Sequence, residues 1–109
     1  MESSGPVALD PGRDIDAAGV VQAVDWSLAR AREPELAAEF TAARVAPTPV
    51  VVNFAGGHRA TCWYVTRGDG DYRVVFMPRA GYFSLVVASV IGPLDIGVHG
   101  EAVDVFASV

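Results

Sequence analysis

Lysine is absent from this chain of 109 residues, and cysteine occurs only once. All eight basic residues are arginines, a bias typical of a GC-rich bacterial genome. With Cys62 as its single cysteine, the chain cannot form an intrachain disulfide. The net charge is −5 and no basic cluster is present, whereas phosphate recognition needs a positive surface. We therefore expect no binding to nucleic acid.

Charged residues are also scarce, at 19%, while hydrophobic residues reach 51%. No apolar run approaches the roughly 20 residues that span a bilayer. The longest run, residues 85–91, has the length of a strand and contains Ser89. Residues 1–6 carry neither the basic nor the apolar region of a secretory signal. We expect a cytoplasmic protein that does not enter membranes and that buries its apolar surplus in a core or an interface.

The first half of the chain has the pattern of two helices. Residues 1–12 are rich in Ser, Gly and Pro and are predicted to be a flexible tail. Apolar residues then recur at helical spacing between positions 15 and 32, and Asp14 or Asp16 is placed to cap the first helix. Pro34 suits the first turn of a second helix, which has one apolar edge.

From position 50 onward the pattern changes to short strands separated by glycine and proline turns. It predicts strands at 50–54, 60–67, 72–77, 82–91 and 94–98. The alternation of apolar residues changes parity near His99, which predicts either one bulged strand to the C-terminus or a last hairpin.

Residues 13–109 are thus predicted to form a single α+β domain. Its two N-terminal helices pack on a four- to five-stranded antiparallel β-meander. This order of elements resembles the cystatin-like and NTF2-like architectures, and also small secretion-chaperone and immunity-protein folds.

The predicted strands carry apolar residues on both faces, whereas a sheet with one wet face alternates apolar with polar residues. Pairing across the turn at 68–71 places Trp63 and Val74 on one face, and Tyr64, Val75 and Met77 on the other. Three arrangements would cover the second face. The sheet could curve strongly and bury part of both faces, it could form an interface with a second copy or another protein, or it could enclose a ligand cavity.

Seven residues are predicted to take part in binding. Aromatic and arginine side chains are the usual anchors of interfaces, and the apolar members lie on the second face of the sheet. Arg59 also follows the glycine-rich segment 55–57 and could hold an anion. The seven candidates are Trp26, Arg59, Tyr64, Arg73, Val75, Met77 and Tyr82.

No catalytic motif is present in the sequence. Cys62 and His58 could form a nucleophile and its base, but the apolar neighbours of Cys62 favour a thiol that only packs. His58, His99 and Glu101 lack the spacing of a zinc site, and the segment 69–71 fits a hairpin turn better than a calcium loop. We expect no catalytic residue, no metal and no cofactor.

The sequence therefore predicts a non-enzymatic protein-binding module. It would act as a homodimer or on another protein, through an apolar sheet face or a helix edge. The alternative is an NTF2-like or cystatin-like protein, or an enzyme, that holds a small apolar ligand between the helices and a curved sheet. A buried ionisable residue that points into such a cavity would favour the alternative, and Asp25 and Arg73 are the candidates for it.

Overall fold

The computed structural model describes residues 15–109. It contains three helices, five strands and one 3-10 turn, in the following order: α1 (Ala17–Ala29), α2 (Pro34–Ala43), β1 (Arg44–Asn53), the 3-10 turn (Ala55–Gly57), β2 (Arg59–Thr66), β3 (Tyr72–Met77), β4 (Tyr82–Val87), β5 (Leu94–Gly100) and α3 (Ala102–Ala107). The predicted order of two helices followed by an antiparallel meander is confirmed. The predicted tail at 1–12 lies outside the described residues.

Both long helices begin where their sequences predict. Asp16 caps α1, because its carboxylate accepts a hydrogen bond from the Gly19 backbone N–H at 2.9 Å. Pro34 occupies the first turn of α2, where its missing N–H costs nothing. The helices bury Val20 and Phe40 against the sheet region. None of the described helices is long and apolar enough to cross a membrane.

The five strands follow one another in chain order, and each neighbouring pair is antiparallel. The predicted pairing of Trp63 with Phe76 is confirmed. The sheet closes on itself, since Asn53 of β1 pairs with Leu94 of β5 in a single parallel contact. The Asn53 backbone N–H donates to the Pro93 carbonyl at 2.9 Å. Its side-chain amide donates to the carbonyls of Ile91 and Pro93 at 3.0 Å each.

β1 starts at Arg44, six residues before the predicted strand, and it runs through two prolines. The Asn53 backbone N–H points away from β2. Backbone nitrogens alternate between the two sides of a strand, so those of Val51 and Pro49, two and four residues earlier, also lie on the side away from β2. Proline has no N–H to offer there, which makes this edge a poor template for another strand. Proline argued against a strand in the sequence, but an edge position tolerates it.

The turns also differ from the prediction. Arg67 does not pair with Tyr72, because its N–H donates to the Ala43 carbonyl at 2.9 Å. Asp69 pairs with Tyr72 instead, through two backbone hydrogen bonds of 2.8 and 3.1 Å. Gly70 follows with a φ of +60°, a conformation that glycine adopts without strain. β4 ends at Val87 rather than at position 91.

The C-terminus forms no hairpin, and the predicted bulged strand is confirmed only as far as Gly100, because the register of β5 against β4 shifts between the Val86–Asp95 and Ser84–His99 pairs. β5 ends at Gly100 and α3 follows at once. The change of parity near His99 therefore coincides with the irregular register of β5 and with the helical period that begins after Gly100. α3 buries Val103 and Val105, and its Phe106 ring meets the Phe40 ring of α2 edge to face, with centroids 5.5 Å apart.

The closed sheet has a core on each side. The outer cluster joins all three helices to β2, β3 and β4; it consists of Val20, Val24, Phe40, Val65, Val74, Phe76, Phe83, Leu85, Ala102, Val103 and Val105. The inner cluster contains strand residues alone: Val52, Cys62, Val75 and Val86. Among residues 15–109, no helix residue is a member of the inner cluster or an apolar neighbour of it, and its members are at most 2% exposed. Within this part of the chain, the curled sheet itself covers the inner cluster. The curved arrangement of the sheet is the one that the structure adopts.

Candidate functional site

The structure brings the predicted binding residues together in two pairs. Trp26 of α1 and Tyr82 of β4 line one groove, at the end of the sheet that carries the β3–β4 turn. Tyr64 and Arg73 line a smaller pocket at the opposite end of β3 and β4. We call these sites the Trp26 groove and the Arg73 pocket.

The other three predicted residues lie apart from these sites. Val75 is 0% exposed in the inner cluster and has no surface to offer a partner. Met77 packs against that cluster and is only partly exposed. Arg59 is exposed at the start of β2, after the 3-10 turn. The second face of the sheet is therefore a buried core. Of the predicted residues, those near the two ends of the sheet are the ones that line surface sites.

The Trp26 groove has a volume of about 620 Å³ between α1 and the sheet. One wall is the helix surface and the other is the β3–β4 turn with the ends of β3 and β4. Trp26 is 60% exposed on the helix wall, which is unusual for so large an apolar ring. The groove is lined by Ile15, Gly19, Gln22, Ala23, Trp26, Arg30, Phe76, Gly81, Tyr82, Phe83, Gly100 and Glu101.

The charged side chains in this groove are engaged with each other. The Arg30 guanidinium donates to both Glu101 oxygens, at 3.0 and 3.1 Å, and the Ser27 hydroxyl donates to the same carboxylate at 2.6 Å. The bond from Arg30, and after it the bond from Ser27, lowers the pKa of Glu101. The Ala102 N–H donates to the Ser27 hydroxyl at 2.9 Å, so this network ties α1 to the start of α3.

Behind Tyr82 lies a polar network that the sequence analysis missed. The His99 ring stacks on Tyr82, with centroids 4.6 Å apart, and its Nε2 lies 3.2 Å from both Asp95 oxygens. The Ser84 hydroxyl also donates to Asp95, whose side chain is only 10% exposed. Ser84 and Asp95 are polar residues that lie within strands on the otherwise apolar inner face. A polar residue at an apolar position of the strand alternation is the signal that could have identified this network in the sequence.

This network is not arranged as a hydrolytic triad. In a triad the imidazole lies between the hydroxyl and the carboxylate and takes the hydroxyl proton. Here Asp95 lies between Ser84 and His99, so the hydroxyl is bonded to the carboxylate and not to the imidazole. Asp25, which sequence reasoning proposed as an inward residue, is 56% exposed and pairs with Arg44 at 2.7 Å.

Cys62 has the properties of a packing residue. It is 1% exposed within the inner cluster. Burial, together with the negative charge of Asp95, raises the pKa of the Cys62 thiol to about 11. His58 is exposed in the turn before β2. A thiol with so high a pKa is protonated near neutral pH and is a poor nucleophile.

The Arg73 pocket has a volume of about 230 Å³ and lies beside the β2–β3 turn and the β4–β5 loop. The Arg73 guanidinium lies over the Tyr64 ring, 3.5 Å from its centroid, and its Nε donates to the Thr66 carbonyl at 3.0 Å. These two contacts fix the plane of the guanidinium. The remaining lining consists of Gly70, Asp71, Val86, Ala88, Ser89, Gly92 and Pro93.

Comparison with known proteins assigns no family: no family model, curated protein or solved structure matches this chain. Among residues 15–109, no group of three or more His, Cys, Asp or Glu side chains is placed to hold a metal ion.

Proposed function

We propose that this chain is a protein-binding module whose contact surface is the Trp26 groove. The observation that carries the proposal is the 60% exposure of Trp26 beside a groove of about 620 Å³. Tryptophan and tyrosine dominate the binding energy of many interfaces, where they give a large rigid contact area. Trp26 and Tyr82 supply such rings from opposite walls. The proposed contact is thus the helix edge rather than a sheet face.

The polar groups of the groove favour a protein segment over a small molecule. A small-molecule site orients its ligand with a few converging polar groups and encloses most of the ligand surface. In the Trp26 groove, Arg30 and Glu101 already satisfy each other, and the Trp26 wall is open to solvent. Apolar side chains of a partner would bind by packing against the Trp26 and Tyr82 rings.

The chain itself carries a segment that fits this description. Val90 and Ile91 in the β4–β5 loop are 105% and 67% exposed, so two aliphatic side chains project from the surface. The loop is ordered by hydrogen bonds: the Ser89 hydroxyl donates to the Gly92 carbonyl at 2.6 Å and accepts from the Ile91 N–H at 3.2 Å. We name Val90 and Ile91 the loop knob, and the partner in this proposal is a second copy of the chain.

Insertion of the loop knob into the groove of another copy would bury both exposed surfaces. In a two-fold dimer each copy would supply one knob and one groove. Pairing through the β1 edge is a weaker route to a dimer, because Pro49 removes a donor from that edge.

Sedimentation velocity across a micromolar concentration series tests the proposal. We expect a reversible dimer for the natural chain. Trp26→Ala on the groove and the double change Val90→Ser, Ile91→Ser on the knob should each weaken association about thirtyfold, as hot-spot truncations do. Val109→Ser removes an aliphatic side chain that is 55% exposed and serves as the control.

A chain that stays monomeric throughout the series would contradict self-association. Trp26 fluorescence then separates the remaining cases, since a small apolar ligand in the groove would change its emission and Trp26→Ala would abolish that change. Such a result would support the small-ligand function instead.

A further inference from the structure

We propose that the Arg73 pocket, which lies away from the Trp26 groove and beside the loop that carries the loop knob, is a binding site for a small carboxylate ligand with an apolar body. The site is partly enclosed, it contains a guanidinium held in a fixed plane, and its walls are largely apolar.

Arg73 has hydrogen-bonding groups that are not used within the described part of the chain. Its Nε is used by the Thr66 carbonyl, and one face of the guanidinium rests on the Tyr64 ring. The two terminal nitrogens have no hydrogen-bond acceptor, and no carboxylate lies within ion-pair distance, among residues 15–109. By contrast, Arg30 forms an ion pair with Glu101, and Arg44 forms one with Asp25.

The free edge of the Arg73 guanidinium matches the geometry of a carboxylate. The terminal nitrogens of arginine form a planar fork that binds both oxygens of a carboxylate in parallel hydrogen bonds. Because Tyr64 and Thr66 already fix the guanidinium, little side-chain entropy remains to be lost when a ligand binds. Arg73 is therefore prepared for a planar anion before the anion arrives.

The charges and the size of the Arg73 pocket determine which anion it can hold. Phosphate carries more negative charge than a carboxylate, and one arginine beside the exposed Asp71 gives it little compensation. The Ser89 hydroxyl is no extra donor, since its proton is used by the Gly92 carbonyl. The walls formed by Val86 and Pro93 suit a hydrocarbon body, and about 230 Å³ is below the usual range of ligand sites. The ligand class is a small apolar carboxylate.

Benzoate is a suitable probe and benzamide its neutral match, with inorganic phosphate as the second anion. Titration is followed by backbone amide shifts, so that binding is located: Gly70, Ala88 and Gly92 report on the pocket, and Gly19 and Gly81 on the Trp26 groove. We expect benzoate to shift the pocket amides in a saturable manner and benzamide and phosphate to bind at least tenfold more weakly.

Variants then assign the effect to Arg73. Arg73→Gln should weaken benzoate binding about ten- to hundredfold, the loss expected for a charge-assisted hydrogen-bonded pair. Arg59→Gln makes the same charge change at an exposed position outside the pocket and should leave binding within twofold. Asp71→Asn should tighten binding about two- to fivefold, since it removes a nearby like charge.

Arg73→Lys keeps the positive charge but lacks the two parallel N–H donors of the guanidinium. This variant replaces Arg73→Gln in the test if Arg73→Gln does not fold. It should still lose most of the affinity for benzoate. The proposal is overturned if benzamide binds as well as benzoate, if phosphate binds more tightly, if Arg59→Gln and Arg73→Gln act alike, or if the shifts map only to the Trp26 groove.

Discussion

The two clusters on either side of the sheet are built from the same kinds of residue but are covered in different ways. The outer cluster is covered by three helices, and the inner cluster is covered by the closure of the sheet. Val74 and Val75 are neighbours in β3 and are equally buried, at 1% and 0%, although they face opposite sides. An apolar second face is therefore no sign of a partner when the strands can curl far enough to cover it.

Phe40→Ala should have the largest effect on stability. Phe40 is fully buried in the outer cluster and packs on Phe106 of α3, so truncation leaves a large cavity where two helices meet. We expect the free energy of unfolding to fall by about 3–5 kcal/mol. Urea denaturation followed by circular dichroism measures this loss. A loss below 1 kcal/mol would show that the helices add little to the stability of the sheet.

Val75→Thr compares the inner cluster directly with the outer one. The change keeps the volume of the side chain but buries a hydroxyl, which should cost about 1–3 kcal/mol in a dry core. Val74→Thr is the matched control on the outer side, and we expect the two losses in urea denaturation to be similar. A neutral Val75→Thr beside a destabilising Val74→Thr would mean that the new hydroxyl finds a partner on the inner side, either water or Ser84, which lies opposite Val75 in β4.

Cys62→Ala should cost roughly 1 kcal/mol, because it leaves a small cavity in the inner cluster. Cys62→Ser should cost more, since it buries a hydroxyl beside the apolar members of the inner cluster, and the Ala60 carbonyl, 3.9 Å from the thiol sulfur, is too distant for a full hydroxyl hydrogen bond. The raised pKa of the thiol, about 11, also predicts that iodoacetamide reacts with the native protein much more slowly than with free cysteine at neutral pH. Fast alkylation of the folded chain would contradict the packing role.

Glu101→Gln should have the smallest effect on the free energy of unfolding. The effect is seen in how that free energy changes with pH. The native pKa of Glu101 is lowered, so its contribution is fully present above the unfolded value of about 4.3 and is lost as the pH falls through the lower native value. The natural chain should therefore lose more stability below about pH 4.3 than the variant. Glu39→Gln, an exposed change on α2, is the control and should keep the natural acid slope.

The helices and the central strands could be predicted from the sequence because their signals are local. The cap at Asp16, the proline at the start of α2 and the alternation in β3 each depend on a few neighbouring residues. The early start of β1 could not be predicted, because a proline is acceptable only where the edge of the sheet lacks a neighbour. The helix α3 was missed because six residues are too few to separate a helical period from a bulged strand.

The sequence by itself determined that both faces of the sheet would be apolar, that the chain would be acidic and that Cys62 would have no cysteine partner. Only the tertiary structure decided what each face contacts. Closure of the sheet through Asn53 and Leu94 joins strands that are far apart in the chain, and it converts the second face into a core. The same long-range geometry pairs Trp26 with Tyr82 and places Asp95 beside Ser84, because such contacts depend on how the strands curve and not on local residue order.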